Sequence, residues 1–350
     1  MAINESNRAG SRKINRITAH TWPDWFPKLQ DFKDPNSLKA SWQLINTVIP
    51  YLVLSYLMIL SVQWGYSYLW TLSLAIPAAA FLVRIFILFH DCVHKSLFPG
   101  KFANAFFGYF LGVLVFTPFK DWRFSHLRHH GTYANLDTRG FGDIWILTRT
   151  EYESSSKMKQ LAYRLYRNPL VFLGLGAYFT FLLRFRLPAS RKTSLHERLD
   201  VLYANLVIAA VAFCLIWFLG WKTYLAVQLP VLWMAGAAGI WLFYVQHQFE
   251  GVYWARKAEW DPLRAAMEGS SFYKLPAVLR WFSASIGYHH VHHLNSRIPN
   301  YRLKHCFDAI PALQARQPLT IRKSISGVVL KLWDEERNSL VGFAEPARTE

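Results

Sequence analysis

WQLINTVIPYLVLSYLMILSVQ (residues 42–63) and YSYLWTLSLAIPAAAFLVRIFILF (66–89) are two apolar runs separated by little more than Gly65. Each supplies the ~20 residues that a helix needs to cross a hydrocarbon core of about 30 Å, so the pair reads as a transmembrane hairpin. A second hairpin follows in VLYANLVIAAVAFCLIWFLGW (201–221) and YLAVQLPVLWMAGAAGIWLFYV (224–245), joined around the lone charge Lys222. Gly236 and Gly239 offer it close helix packing. Residues 102–117 and 169–185 are weaker, being short or broken by Pro169, Gly174, Gly176 and Arg184, and read as interfacial or re-entrant. Arg84 lies inside the second run, where a charge is costly, and is expected to snorkel toward the helix end.

The rest of the composition agrees. Of 350 residues, 53% are hydrophobic, 17% aromatic and only 17% charged, which excludes a disordered, collagen-like or disulfide-stapled chain. A mean hydropathy of +0.11 nevertheless requires a large polar part outside the bilayer. Cys92, Cys214 and Cys306 are odd in number and far apart, as in a reducing compartment, and no cleavable leader is expected. The net charge of +17 is unevenly placed: seven Lys or Arg precede the first run, fourteen fall in residues 120–200 and fourteen from 246 onward. By the positive-inside tendency all three segments face the cytoplasm. The expected organisation is a cytosolic segment 1–41, a hairpin 42–89, a cap portion 90–200, a second hairpin 201–245 and a C-terminal cap 246–350. Nothing points to nucleic acid.

The thirteen histidines carry the chemistry. HDCVH sets His90 and His94 four apart; HLRHH gives His126, His129 and His130; HHVHH gives His289, His292 and His293. Spacings of three and four place side chains on one helix face. One H-x-x-H-H is expected by chance about 0.02 times in such a chain, so two are not coincidence. His20, His196, His290 and His305 read as ordinary core or surface residues. His247 is isolated, but it ends the fourth run and so returns to the face that holds the clusters. Those clusters can meet only if residues 102–117 do not cross the bilayer. Nine imidazoles exceed the four to six ligands of one ion, which makes two metal ions the economical reading, with iron, copper, nickel or zinc all open. Asp91, Asp137, Asp143 and Glu250 are candidate acceptors for the outer ring N–H groups.

HDCVH, FSHLRHH, NLDTRGFGDIW, YVQHQFE, GSSFYKLP and GYHHVHHLNSRIPNY together resemble the membrane fatty acid desaturases with three histidine boxes, over about residues 42–333. The strings look most like bacterial acyl-lipid desaturases related to the omega-6 branch. The resemblance implies an all-α integral membrane protein, four transmembrane helices under a cytosolic helical cap with short interfacial helices. It implies two iron ions held by His90, His94, His126, His129, His130, His247, His289, His292 and His293, with no further catalytic residue. It also implies O2 as co-substrate and a cis double bond introduced into acyl chains of lipids of a bacterial plasma or thylakoid-type membrane. Two departures stand out: Val93 replaces the usual glycine of the first box, and Phe243 occupies a position where animal relatives hold a metal-bound water through Asn, so no tenth ligand is assigned. No H-P-G-G string or nicotinamide signature occurs, and electrons are expected from an acidic carrier such as ferredoxin or flavodoxin docking on the basic face. Rival readings are an acyl hydroxylase or an alkane or carotenoid oxygenase on the same scaffold. A histidine-lined metal transporter is a rival of another class, although every clustered histidine lies at or beyond a helix end rather than near the midplane.

Overall fold

A computed structural model describes residues 22–140, 142–191 and 193–344. The N-terminal calls, among them His20 and the cations Arg8, Arg12, Lys13 and Arg16, lie outside the described residues.

The apolar runs form long helices. α1 (Ser37–Gln63) begins where the Asn36 side chain accepts the Lys39 N–H at 2.9 Å, satisfying a donor that the first turn leaves free. α2 (Tyr68–His94) returns against it and stops at Lys95, which takes a left-handed conformation (φ 58°). In the second hairpin, α6 (Leu195–Leu219) opens on a Ser194/Glu197 capping box and α7 (Trp221–His247) follows Gly220, whose φ of +77° makes the tight turn. All four are long and apolar enough to cross a membrane. Their outer faces carry exposed residues such as Trp42, Trp70, Trp217 and Phe218, as a lipid-facing surface requires.

α2 and α7 continue past the bilayer-length runs, so the first histidine box and His247 ride on their last turns. This rigid extension fixes those side chains more firmly than a loop would.

Over the weaker stretch, α3 (Lys101–Leu114) and α4 (Phe119–Thr132) meet at a bend of 101° rather than forming one straight helix. Glycine makes the corner possible: a Cβ on Gly108 would collide with the Phe119 ring, and one on Gly112 would stand 2.6 Å from the Thr117 carbonyl oxygen. Residues 169–183 form a helical arm broken at Leu175 and widened into a π turn over Phe179–Leu183. The arm packs on α7 where a Cβ on Gly236 would lie 2.6 Å from Ala177 Cβ. Gly236 therefore serves close packing, but with the arm rather than within the hairpin. Gly239 does not pack at all, since nothing lies within 4 Å of its would-be Cβ.

The cap contains α5 (Lys157–Tyr166), α8 (His289–Leu294), α9 (Asn300–Ala309) and a short antiparallel pair, β1 (Leu332–Asp334) with β2 (Ser339–Val341). That pair is a small addition to the helical architecture expected. Arg84 also differs from expectation. It sits ten residues before the end of α2, too far to snorkel, and is buried. Its guanidinium donates to Thr47 Oγ1 at 3.0 Å and to the Trp281 carbonyl, and stacks 4.0 Å from the Trp281 ring.

Candidate metal centre

Four helix segments aim imidazoles at one place. His90 and His94 lie one turn apart on the last turns of α2, His126, His129 and His130 on α4, His247 at the end of α7, and His289, His292 and His293 on α8. All nine come together, in two groups. His90, His94, His126, His130 and His292 present ring nitrogens within 4.8 Å of one another, and so do His129, His247 and His293. His289 joins the second group, its Nε2 lying 3.0 Å from that of His247 and 3.1 Å from that of His293.

Nε2 atoms crowd together throughout: His94 and His126 at 3.0 Å, His126 and His130 at 3.1 Å, His130 and His292 at 3.0 Å, His129 and His247 at 3.2 Å. The last pair is the most telling. His129 Nδ1 is 2.5 Å from Asp143 Oδ1, and His247 Nδ1 is 3.5 Å from the Gly269 carbonyl oxygen. Carboxylate and carbonyl only accept, which assigns the ring hydrogen to Nδ1 in both and leaves two Nε2 lone pairs facing each other. Lone pairs at that distance need a cation between them. With metal–nitrogen bonds of about 2.1 Å, nitrogens 3.0–3.2 Å apart are close enough to share one ion. Burial, reinforced by the neighbouring imidazoles, pulls the pKa of His126, His130, His289, His292 and His293 well down, so these rings are neutral and available as donors. The residues present thus fit two ions of the kind imidazole favours.

Of the four carboxylates, two face the site. Asp143 anchors His129 and also accepts the Gly140 N–H at 3.1 Å. Asp91 is buried with Oδ1 3.4 Å from His90 Nδ1, while its Oδ2 accepts both the backbone N–H and the side-chain amide of Asn300 at 2.8 and 2.9 Å. Asp137 and Glu250 depart from expectation. Asp137 pairs with Arg256 (2.8 Å) and accepts the Lys257 N–H, because the turn after α4 points it outward to solvent. Glu250 is exposed in the turn that follows α7. His290 is buried but points away, its Nε2 3.1 Å from the Leu313 carbonyl oxygen, and burial pushes its pKa down to about 4. His196 and His305 are exposed, outside both groups.

Three residues that sequence reasoning missed support the imidazoles. Trp122 stacks on His126 with ring centres 4.3 Å apart, Tyr133 lies 4.1 Å from the His247 ring, and Asn300 holds Asp91. Helical spacing carried a signal for the first two, four residues before His126 and four after His129. The Phe243 ring, one turn before His247, stands 5.3 Å from it and offers no ligand.

A cavity of about 780 Å³ opens onto the site between α2, α7 and the arm. It meets the histidines at His90, His126 and His289, and elsewhere its wall is mostly apolar, including Phe86, Trp122, Phe179, Phe181 and Phe243. Its size and lining suit a long apolar ligand. Just past the first box, Arg123 first, with burial and then Lys101 and Arg297, pulls the Lys95 pKa down.

The family model described as fatty acid desaturase matches residues 64–324. A Bacillus subtilis protein named "Fatty acid desaturase" is 42% identical over 327 residues, covering 93% of this chain and 92% of its own length. Synechocystis proteins named "sn-1 acyl-lipid omega-3 desaturase (ferredoxin)" and "sn-1 oleoyl-lipid 12-desaturase" are 29% and 24% identical, covering 65% and 79% of this chain and 63% and 79% of their own lengths.

Proposed function

The chain belongs to the fatty acid desaturase family, an oxidoreductase of the membrane, and we propose that it introduces a cis double bond into acyl chains of membrane lipids with O2 and an external electron donor. The observation that carries this reading is the meeting of nine buried imidazoles with the end of an apolar cavity between membrane helices. One ion would be held by His90, His94, His126, His130 and His292, and the other by His129, His247, His289 and His293. Two irons there would supply, once reduced, the O2 activation needed to remove hydrogen from an unactivated methylene. The balance is –CH2–CH2– with O2, two electrons and two protons giving –CH=CH– and two waters.

The chain's own residues do the rest. Asp143 and Asp91 orient His129 and His90 through their outer ring nitrogens, with Asn300 fixing Asp91 in turn. Phe86, Trp122 and Phe243 keep the cavity end dry. Methylenes along an acyl chain are nearly alike in reactivity, so the position attacked follows from how far the chain enters. Acyl-lipid substrates are favoured by the printed names of the Synechocystis relatives, one of which also names ferredoxin. The cationic segments between and after the hairpins favour a cytoplasmic cap and site.

The test is fatty-acid methyl ester analysis, with derivatisation of double bonds, of a bacterial host that lacks polyunsaturates and expresses the chain beside a His129→Ala control. A new double bond absent from the control is expected. Unchanged lipids from a folded, iron-loaded protein supplied with a competent donor would refute the assignment, and a hydroxylated product would move it to a hydroxylase.

A further inference from the structure

One buried cation in the wall of the large cavity lacks a counterion. Arg167 lies between α5 and the arm, and its Nη2 donates to Gln248 Oε1 at 2.8 Å and to the Leu330 carbonyl oxygen at 3.0 Å. Gln248 directly follows α7, so the guanidinium stands at the cap end of a membrane-length helix. Its carbon is 5.3 Å from the centre of the Tyr244 ring, which stacks on Phe172 of the arm at 5.0 Å. These contacts occupy one nitrogen of three. Arg167 Nε and Nη1 are buried without a partner, and so are the Tyr244 hydroxyl and Gln248 Nε2. Arg167 and Tyr244 both line the cavity. Among the described residues no carboxylate lies within ion-pair distance of Arg167, while Arg139, Arg149, Arg256 and Arg264 each have one. A second cation stands behind it: Lys331 is buried, and its Nζ donates to the Arg167 carbonyl oxygen at 2.6 Å. Burial first, and then Arg167, pulls the Lys331 pKa down to about 8.

We propose that Arg167, Tyr244 and Gln248 form the pocket that receives the phosphodiester of a phospholipid whose acyl chain fills the cavity. The choice of occupant rests on the desaturase reading, which puts a lipid chain there. The grouping is rich in donors and poor in acceptors, and buried donors are stable only when something accepts from them. A buried charge likewise calls for an opposite one. Anionic oxygens meet both needs, and the planar fork of a guanidinium suits a phosphate in particular. An ester carbonyl would accept a hydrogen bond but bring no charge. The position agrees, because phosphate groups lie just beyond the hydrocarbon core, where α7 gives way to Gln248.

The experiment measures direct binding of three radiolabelled probes with the same acyl chains, phosphatidylglycerol, diacylglycerol and the free fatty acid, to the iron-loaded, full-length protein in neutral detergent. Wild type is compared with Arg167→Gln, which removes the charge, and Tyr244→Phe, which removes only an unpartnered hydroxyl. Wild type should bind phosphatidylglycerol roughly tenfold more tightly than diacylglycerol. That preference should vanish in Arg167→Gln and fall several-fold in Tyr244→Phe. Melting temperature and iron content are read for each variant, and Tyr244→Phe carries the test if Arg167→Gln does not fold. An unchanged preference in folded variants, or none in wild type, overturns the proposal. So does an equal loss of affinity for all three lipids, which would make the residues structural, and tighter binding of the free acid, which would assign the pocket to a carboxylate. Phosphate-dependent binding by a wild type that forms no double bond would support the pocket and count against the desaturase reading instead.

Discussion

Gly239 and Gly236 lie one turn apart on α7, both in the cavity wall, yet they should answer substitution in opposite ways. A Cβ on Gly239 meets nothing within 4 Å, so an alanine fits and a leucine projects into free space inside the cavity. A leucine there displaces about three methylenes of a bound acyl chain; at ~0.8 kcal/mol per buried CH2 the loss is ~2.4 kcal/mol, about fiftyfold in kcat/KM for chains long enough to reach it. Chains too short to reach it should be spared. Gly236→Ala instead drives a methyl into Ala177, 2.6 Å away, and overpacking of that kind costs roughly 1–3 kcal/mol of stability. The assay is competition between acyl chains of different length, with product position mapped by mass spectrometry, beside thermal unfolding of each variant. The reasoning fails if Gly239→Leu folds normally and turns over short and long chains in the wild-type ratio, or if Gly236→Ala is as stable as the wild type.

Three further outcomes follow from the geometry. Asp143→Ala removes the acceptor that places the ring hydrogen of His129 on Nδ1, and iron affinity or activity should fall roughly 10- to 100-fold, read as iron retained against a competing chelator. Asp137→Ala removes an exposed pair with Arg256 and an acceptor of the Lys257 N–H, so the melting temperature should change little and iron content not at all. Stripping the metal leaves facing lone pairs and buried polar nitrogens without a partner, and the melting temperature should drop and recover when Fe2+ is restored under reducing conditions, whereas Mg2+, which prefers oxygen ligands, should not restore it.

Much of this was legible in the sequence because its signals are periodic. Spacings of three and four set His90 with His94 and His126 with His129 and His130, and the need for those boxes to meet argued against a straight span over residues 102–117, where α3 and α4 bend instead. Four apolar runs sufficed for four helices. What escaped notice depends on contacts between distant residues. Asn300 reaches Asp91 across 209 positions, and no local pattern marks it. Asp91 and Asp137 are both acids beside a histidine box, and only the turn after α4 decides that one faces an imidazole and the other Arg256. Hydropathy ends the run at Phe89 and so puts Arg84 near an interface, whereas the helix continues to His94 and the short helix Ala277–Phe282, which carries Trp281, receives the guanidinium. Gly239 looked like a packing glycine because its spacing from Gly236 is that of a helix contact. The arm that would have met it lies against Gly236 instead, and the space left over becomes cavity.

Two ions held by nine imidazoles are the core of the proposed mechanism, and metal analysis of the purified protein beside single-histidine variants tests them most directly. Two irons per chain are expected. His94→Ala and His247→Ala, one from each group, should each lower iron occupancy while the described helices stay folded by circular dichroism. One iron or none in a folded protein that desaturates, or full iron occupancy in both variants, would contradict it.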